Sequence, residues 1–350
     1  MKVLSASQAI SPAVERTVRF LFRPFEWATY LKLAAVACIT EGFSANLSSS
    51  HQQSSWPGSG GACSPFHVSN ELITLIALAV LVCFAIGIFV FYLVTRLRFA
   101  FFHCLVRQTR EIRPGWRLYR AQALRFFKTS LLIWLLLLCI AVAVMLPFGF
   151  KFFDLYRETC GGGQFDLAGF FLLLLAFIPV VLLLSLALWA VKVMLHDFML
   201  PHVALDDASV EEAWAAARGR IEAEKGKFFV YLLLRLLLPP VAGIALFLVL
   251  AIPLLIVFGI LAVAAVGFHA LLADATGVGA VVRIICEVLV GIVGVSLGLL
   301  VAFSLGGPIA TWIRNYALLF YGGRYQALGD LLDPPPPPPP PADPWTPEVA

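Results

Sequence analysis

Two histidines and three aspartates lie close together in the middle of the chain: His196, Asp197, His202, Asp206 and Asp207. Imidazole and carboxylate groups of this kind bind divalent metals such as zinc. Five residues, one of them a proline, separate the two histidines, and this matches no established ligand spacing. Because such residues commonly end a span and cap the next helix, we favour that structural role. We therefore assign no metal, no cofactor and no catalytic residue here.

Arg283 and Glu287 form a second ionisable group, at the start of an apolar segment. Ionisable residues inside a membrane are typical of transport pathways, and His269 and Asp274 would be their neighbours. Since Arg283 and Glu287 are four residues apart, they would also neutralise each other on one helix. We favour the structural pair and keep the transport pathway as the alternative.

The seven cysteines show no regular spacing, and four of them lie in apolar segments, where cysteine acts as a small hydrophobic residue. Cys63 and Cys160 occur in loops that we predict to lie on the external, oxidising side. A disulfide between these two is a hypothesis, because the sequence does not place their Cα atoms within bridging distance.

No motif of a known catalytic centre occurs in the sequence. It has no glycine-rich phosphate loop, nucleophile elbow, HExxH or CxxC pair. The three glycines at 161–163 lack a flanking lysine and a strand pattern, so they indicate only a turn. We therefore predict that the protein is not an enzyme.

The composition indicates an integral membrane protein. Hydrophobic residues make up 61% of the chain and charged residues 13%, whereas soluble domains carry about 25% charged residues. Several uncharged runs are long enough to cross a bilayer as helices. We predict an all-α bundle with six transmembrane helices, at about 27–45, 72–95, 130–150, 167–191, 241–268 and 284–304.

A basic stretch between two apolar runs sets the orientation of these spans. Residues 96–128 contain nine of the 25 lysines and arginines and a single acid, Glu111. Cationic loops stay on the cytoplasmic side of a membrane. The loop after the first span has no lysine or arginine, as expected for an external loop. This asymmetry predicts that both termini are cytoplasmic.

Amphipathic elbow helices, lying at the membrane surface, are predicted to connect the spans. In the basic stretch, Trp116, Tyr119, Ala123 and Phe126 recur at helical spacing after a Pro-Gly break. Anionic lipids attract such a surface, although the same charges also serve to set topology. The arginines that we expect to contact anionic lipid are Arg107, Arg110, Arg113, Arg117 and Arg120.

The pattern of span, polar exit and elbow occurs twice. Ser209 and Glu212 form a capping-box signature, followed by Trp214, so a second elbow is predicted there. We interpret residues 72–150 and 167–268 as an internal duplication. In the last span, small residues recur every fourth position at Gly294, Gly298, Ala302 and Gly306, which predicts close packing of another helix.

The chain divides into three parts on this interpretation. Residues 1–26 form an N-terminal interfacial segment, residues 27–325 the six-span membrane domain, and residues 326–350 a disordered cytoplasmic tail. Eight consecutive prolines at 334–341 predict an extended polyproline II rod. We favour a tail without a partner, and a proline-recognition partner is the alternative.

Short motifs flank the spans: FRPF at 22–25, YLKL at 30–33, HDF at 196–198, EAW at 212–214, FFVY at 228–231 and RNY at 314–316. With these, residues 20–325 resemble bacterial polytopic membrane protein families of unknown function. Their layout is similar to that of the membrane domain found beside glycerophosphodiester phosphodiesterases. The resemblance implies a location in the bacterial inner membrane. Because the sequence contains no phosphodiesterase domain, it does not imply that activity.

Two functions remain open at this point. We favour a non-enzymatic scaffold or accessory membrane component, whose partners are anionic lipids and another membrane protein rather than nucleic acid. The alternative is a transporter or lipid-handling protein with a cavity between the repeats. A cavity in the middle of the membrane lined by Arg283, Glu287 and His269 would favour transport.

Overall fold

The computed structural model describes residues 2–42, 70–160, 166–271 and 278–334, and all regular structure in these ranges is helical. The helices are α1 (Ile10–Phe22), α2 (Trp27–Ala37), α3 (Asn70–Arg107), α4 (Ile112–Leu118), α5 (Arg120–Cys160), α6 (Leu167–Val193), α7 (Leu200–Leu205), α8 (Val210–Ala223), α9 (Lys225–Leu271), α10 (Val278–Gly322) and α11 (Gln326–Leu332). π-Helical turns follow α2, at Cys38–Gly42, and α6, at Met194–Met199.

Five of the described helical segments are long and apolar enough to cross a membrane: Ile73–Arg107, Arg120–Glu158, Leu167–Leu205, Lys225–Gly267 and Val281–Gly322. The most apolar 18 residues of each are 0% buried within the chain. Apolar surface left uncovered on this scale is stable only in contact with lipid or another protein. The chain is therefore a multi-pass membrane protein by the length and composition of its helices.

The first predicted span has a different form. In the range 27–45, helix α2 has 11 residues and the π-helical turn after it has five. At about 1.5 Å per residue these 16 residues extend roughly 24 Å, less than the ~30 Å hydrocarbon core. Leu33, Ala34 and Ala37 are buried against α10. The described part, residues 27–42, does not cross, because Glu41 near its end contacts Lys192 beside the end of α6. Residues 43–45 lie outside the described ranges, so a sixth crossing stays a prediction.

The buried core lies where the ends of the five long helices converge. We call this region the base; it contains α1, α2, α4, α7, α8, α11 and the adjoining ends of the long helices. The remaining apolar lengths of the long helices are called the arms. Aromatic side chains fill the base because the helix ends are rich in phenylalanine and tyrosine. The largest fully buried ones are Tyr231, Tyr316, Tyr321, Phe99, Phe101, Phe102, Phe126 and Phe320.

The two predicted elbows lie in the base as helices. Tyr119, Ala123 and Phe126 are buried, as their spacing predicts. Ala123 and Phe126 lie at the start of α5, and Tyr119 lies between α4 and α5. At α8 the predicted capping box is present: the Ser209 hydroxyl accepts from the Glu212 amide at 3.2 Å, and the Glu212 carboxylate accepts from the Ser209 amide at 2.8 Å. Whether either elbow lies at a membrane surface stays a prediction.

Glycines allow α10 to pack closely against α2. A Cβ at Gly306 would lie 2.8 Å from the Cys38 Sγ, and a Cβ at Gly307 would overlap the backbone of Ala34. Gly294 and Gly298, further along the same stripe, have open space around the Cβ position. Of the predicted small-residue stripe, only the end nearest the base makes the close contact.

An ion pair joins the second elbow to the end of α10. The Arg324 Nε donates to the Glu224 carboxylate at 2.7 Å, and the Lys227 Nζ donates to it at 2.8 Å. These two hydrogen bonds hold the pKa of Glu224 below its usual value. The Arg324 guanidinium also stacks on the Phe320 ring, 4.0 Å from its centroid.

The boundary of the C-terminal tail differs from its prediction. Residues 326–332 form helix α11, and Leu328 within it is fully buried. The tail prediction was therefore wrong for these seven residues, because their apolar side chains pack on the base. The proline run continues beyond residue 334, outside the described ranges. The internal duplication also stays a prediction, although both units contain two long helices joined by short ones.

Candidate functional site

Asp197 is the centre of a buried cluster of charged groups. Its side chain is 1% exposed and lies on the π-helical turn after α6. One carboxylate oxygen accepts from the Tyr231 hydroxyl at 2.8 Å and from the Arg235 Nε at 3.0 Å. The other accepts from a terminal nitrogen of Arg314 at 2.9 Å. This single carboxylate therefore holds together α6, α9 and α10.

Glu41 adds a second carboxylate to the cluster. It lies on the π-helical turn after α2 and accepts from Arg235 at 3.2 Å. The backbone carbonyl of Glu41 accepts from the Lys192 Nζ at 3.0 Å. Arg235 thus bridges Glu41 and Asp197, which lie in distant parts of the sequence.

His196 is fixed in one neutral form by its two partners. Its Nδ1 lies 2.8 Å from the Lys192 carbonyl, which can only accept, so Nδ1 carries the hydrogen. Its Nε2 contacts the guanidinium of Arg98, which can only donate. Arg98 also donates to the backbone carbonyl of Thr40 at 2.9 Å. Both nitrogens of His196 are therefore occupied within the protein.

These residues form what we call the Asp197 cluster: Glu41, Arg98, Lys192, His196, Asp197, Tyr231, Arg235 and Arg314. Four cations meet two carboxylates in it, and Glu41 interacts electrostatically with all four cations. Three members of the cluster, Glu41, His196 and Asp197, lie on π-helical turns, a distortion that is frequent at functional sites. The arrangement brings charged groups from five parts of the chain together at one place.

A cavity of about 360 Å³ adjoins the Asp197 cluster. Glu41, Lys192, His196, Asp197 and Arg235 line its polar side. Its apolar wall comes from α6, α9 and α10: Trp189, Leu236, Pro239, Ile309, Ala310 and Ile313. The cavity therefore lies at the border between the base and the arms, with a charged wall on one side and an apolar wall on the other.

His202, which the sequence placed beside His196, belongs to a separate set of contacts. Its Nδ1 donates to Asp206 at 3.2 Å, and its Nε2 accepts from Tyr321 at 2.8 Å and Arg220 at 3.0 Å. The ring also packs on Tyr325, with centroids 4.1 Å apart. In the described part of the chain, no three His, Cys, Asp or Glu side chains come together as a metal site would require.

The structure also brings together the second ionisable group singled out in the sequence, Arg283, Glu287 and His269. Glu287 lies 3.7 Å from the Arg283 Nε and accepts from the His269 Nδ1 at 2.9 Å. This places the three side chains at the far end of α9 and α10 from the base. The His269 side chain is 66% exposed, and none of the three lines the cavity beside the Asp197 cluster. Asp274 lies outside the described residues.

The basic elbow presents most of its arginines to solvent. Arg107, Arg113, Arg117 and Arg120 are exposed. Arg110 is partly buried and donates to the backbone carbonyl of Phe20 at 3.0 Å, so it connects the elbow to the end of α1.

The proposed disulfide cannot be placed in the structure. Cys63 lies outside the described residues, and so does the side chain of Cys160. The five cysteines whose side chains are described are free thiols: Cys38, Cys83, Cys104, Cys139 and Cys286.

Sequence reasoning found two of the eight members of the Asp197 cluster, His196 and Asp197. It did not place the other six in one site: Glu41, Arg98, Lys192, Tyr231, Arg235 and Arg314. A signal was present, because Arg235 stands alone among six leucines and two prolines and Arg314 lies in a similarly apolar segment. A cation in such surroundings needs a buried partner.

Comparison with known proteins gives one match. The model of a family of unknown function (DUF7544) matches residues 4–331. No curated protein and no solved structure matches the chain.

Proposed function

The chain belongs to this family of unknown function, and from the geometry of the Asp197 cluster we propose that it binds a membrane lipid without catalysing a reaction. The observation that carries the proposal is the cavity with one charged and one apolar wall. A lipid has the same division, with a charged headgroup next to its acyl chains. Trp189 and Leu236 would contact the acyl chains, and Lys192 the headgroup.

The position of the cavity supports this function. The arms have the length of a bilayer core, since 24 residues of helix extend about 36 Å. Lys192 is the first charged residue after the apolar run of α6, so the cavity would lie at headgroup depth. In the proposed topology, with six spans and both termini in the cytoplasm of a bacterium, this is the inner leaflet of the inner membrane. The basic elbow, with its excess of cations, supports the same orientation.

The topology makes a direct prediction. An accessible cysteine or a tag at Ser55, in the loop after the first proposed span, should be labelled from outside the cell. A tag placed after the proline run should be labelled only after the inner membrane is opened. Labelling of both positions from the same side would contradict the six-span arrangement.

Filling the cavity should reduce lipid retention. We expect Ala310→Phe to place a ring in the cavity and to reduce the lipid that remains bound after extensive detergent washing. The measurement is mass spectrometry of lipid extracted from purified protein, expressed as moles per mole of chain. Thermal unfolding of each variant establishes that it is folded.

The matched control is Ala262→Phe, which adds the same ring to an exposed position on the arm of α9. This variant should retain lipid at the level of the unsubstituted chain. Equal retention in both variants would contradict binding in this cavity.

A scaffold is the second candidate function, favoured by the exposed arginines of the basic elbow. Such a surface would attract anionic lipid or an acidic partner, each cation near a membrane surface adding about 1 kcal/mol. Replacing Arg113, Arg117 and Arg120 together with glutamine would separate the two functions. Loss of a co-purifying protein with lipid retention unchanged would indicate the scaffold role.

A further inference from the structure

The charges of the Asp197 cluster do not cancel. Arg98, Lys192, Arg235 and Arg314 contribute four positive charges, whereas Glu41 and Asp197 contribute two negative ones. His196 adds none, because its hydrogen-bond partners fix the neutral ring. Two positive charges are therefore left over among groups that are buried or partly buried.

The surrounding chain offers no described group to balance them. The segment that follows Glu41, residues 43–69, contains no aspartate, glutamate, lysine or arginine, so its placement cannot change the balance. Among the described residues, the acids nearest in sequence are Asp206, Asp207 and Glu224, and these are engaged with His202, Arg125 and Arg324. Uncompensated buried charge is costly, which favours an anion as the missing component.

The excess positive charge lies directly behind the wall of the cavity. Lys192 and Arg235 line the cavity together with the two carboxylates, Glu41 and Asp197. Arg98 and Arg314 lie behind them, and their described bonds go to Thr40, His196 and Asp197. The ammonium of Lys192 has three hydrogens, and one hydrogen bond to the Glu41 carbonyl is described. It is therefore the cation best placed to meet an incoming ligand.

We propose that the cavity selects a phosphate monoester dianion, carried as the headgroup of a lipid. This inference rests on the proposed lipid binding and adds the headgroup chemistry to it. A phosphate monoester carries between about −1.5 and −2 charges near pH 7, which matches the two unbalanced cations. A phosphodiester headgroup carries one negative charge and would leave one cation unbalanced.

The apolar wall favours a lipid source over free phosphate. Trp189, Leu236 and Ile309 would have no partner if an inorganic anion alone entered, because they line the cavity opposite the cations. An acyl chain would cover this wall. The same cations would bind free phosphate and a phosphate headgroup of a lipid, and the experiment distinguishes these two ligands.

The test compares ligands that differ only in the headgroup. The full chain in a neutral detergent is titrated with phosphatidic acid, phosphatidylglycerol and phosphatidylcholine of identical acyl chains, and with inorganic phosphate. Binding is followed by native mass spectrometry. We expect phosphatidic acid to bind at least about tenfold more tightly than phosphatidylglycerol, as for one additional charge-assisted contact. Its advantage should shrink at pH 5, where a monoester with a second pKa near 6 becomes a monoanion.

Two substitutions should move this preference in opposite directions. Lys192→Gln keeps a donor for the Glu41 carbonyl and removes one cation, so it should reduce the preference for phosphatidic acid. Glu41→Gln keeps an acceptor for Arg235 and removes an anion, so it should strengthen binding of phosphatidic acid. A purely structural role of these residues would weaken binding in both variants. Lys128→Gln, in the basic elbow, is the matched control and should leave the preference unchanged.

The outcomes separate the two proposals. Equal affinity for phosphatidic acid and phosphatidylglycerol would overturn the dianion inference and leave lipid binding intact. Inorganic phosphate binding as tightly as phosphatidic acid would overturn the lipid source. Failure of every lipid to bind, together with no effect of Ala310→Phe on retained lipid, would overturn the proposed function itself.

Discussion

Replacing Asp197 with asparagine should destabilise the base by about 3–5 kcal/mol, the usual cost of breaking a buried ion pair from one side. The carboxylate accepts from Tyr231, Arg235 and Arg314 in a site with almost no solvent access. Asparagine has nearly the same shape, so the change removes charge rather than volume. The N–H groups of the asparagine amide would also face the donors of Tyr231, Arg235 or Arg314, with which they cannot form hydrogen bonds. The measurement is the free energy or midpoint of unfolding of the purified chain in detergent.

Asp207→Asn provides the matched control for this effect. Asp207 is 62% exposed and pairs with Arg125 at the surface of the base. Exposed ion pairs contribute about 0–1 kcal/mol, so the control should differ little from the unsubstituted chain. If Asp197→Asn were as mild as Asp207→Asn, the cluster would not hold the helix ends together.

Gly307→Val should have the second large effect, because it introduces atoms where two backbones meet. The added Cβ would overlap Ala34 and lie 3.1 Å from its carbonyl oxygen. Overpacking typically costs about 1–3 kcal/mol, and more where backbone must move. The displacement of α2 would also remove Glu41 from its contact with Arg235, since Glu41 lies on the turn that follows α2. We therefore expect lower stability and reduced lipid retention together.

Gly298→Val tests whether the effect of Gly307→Val is due to the close contact between α10 and α2. Gly298 lies on the same helix and has no atom within 4 Å of the Cβ position. A valine there should leave both the unfolding midpoint and the retained lipid unchanged. Comparable losses in the two variants would mean that valine disturbs α10 itself rather than its packing on α2.

The positions of the arms could be predicted from the sequence because hydrophobicity is a local property. An uncharged run such as 72–95 identifies a membrane-length helix without reference to any other segment. The capping box of Ser209 and Glu212 was equally local and is present. The α2 segment is harder to assign, since packing against α10 buries Leu33 and Ala37 and gives them the same apolar character that a lipid-facing helix would have.

The Asp197 cluster could not be assembled from the sequence because its members meet only in three dimensions. Glu41 and Arg235 are 194 positions apart, and Asp197 and Arg314 are 117 apart. Sequence spacing grouped His196 with His202 because they are close in the chain. The structure separates them: the first contacts Arg98 and the second contacts Tyr321, because the π-helical turn and α7 direct the two rings to different neighbours.

The separation of the chain into arms and base has a consequence for how its relatives would diverge. An arm needs little more than hydrophobic side chains on its surface, and valine, leucine, isoleucine and phenylalanine can replace one another there. The base depends on individual aromatic and ionic partners that few other side chains could replace. Over evolutionary time we therefore expect the membrane-length segments to drift in identity while keeping their character. The short sequences at their ends should carry most of the recognisable ancestry.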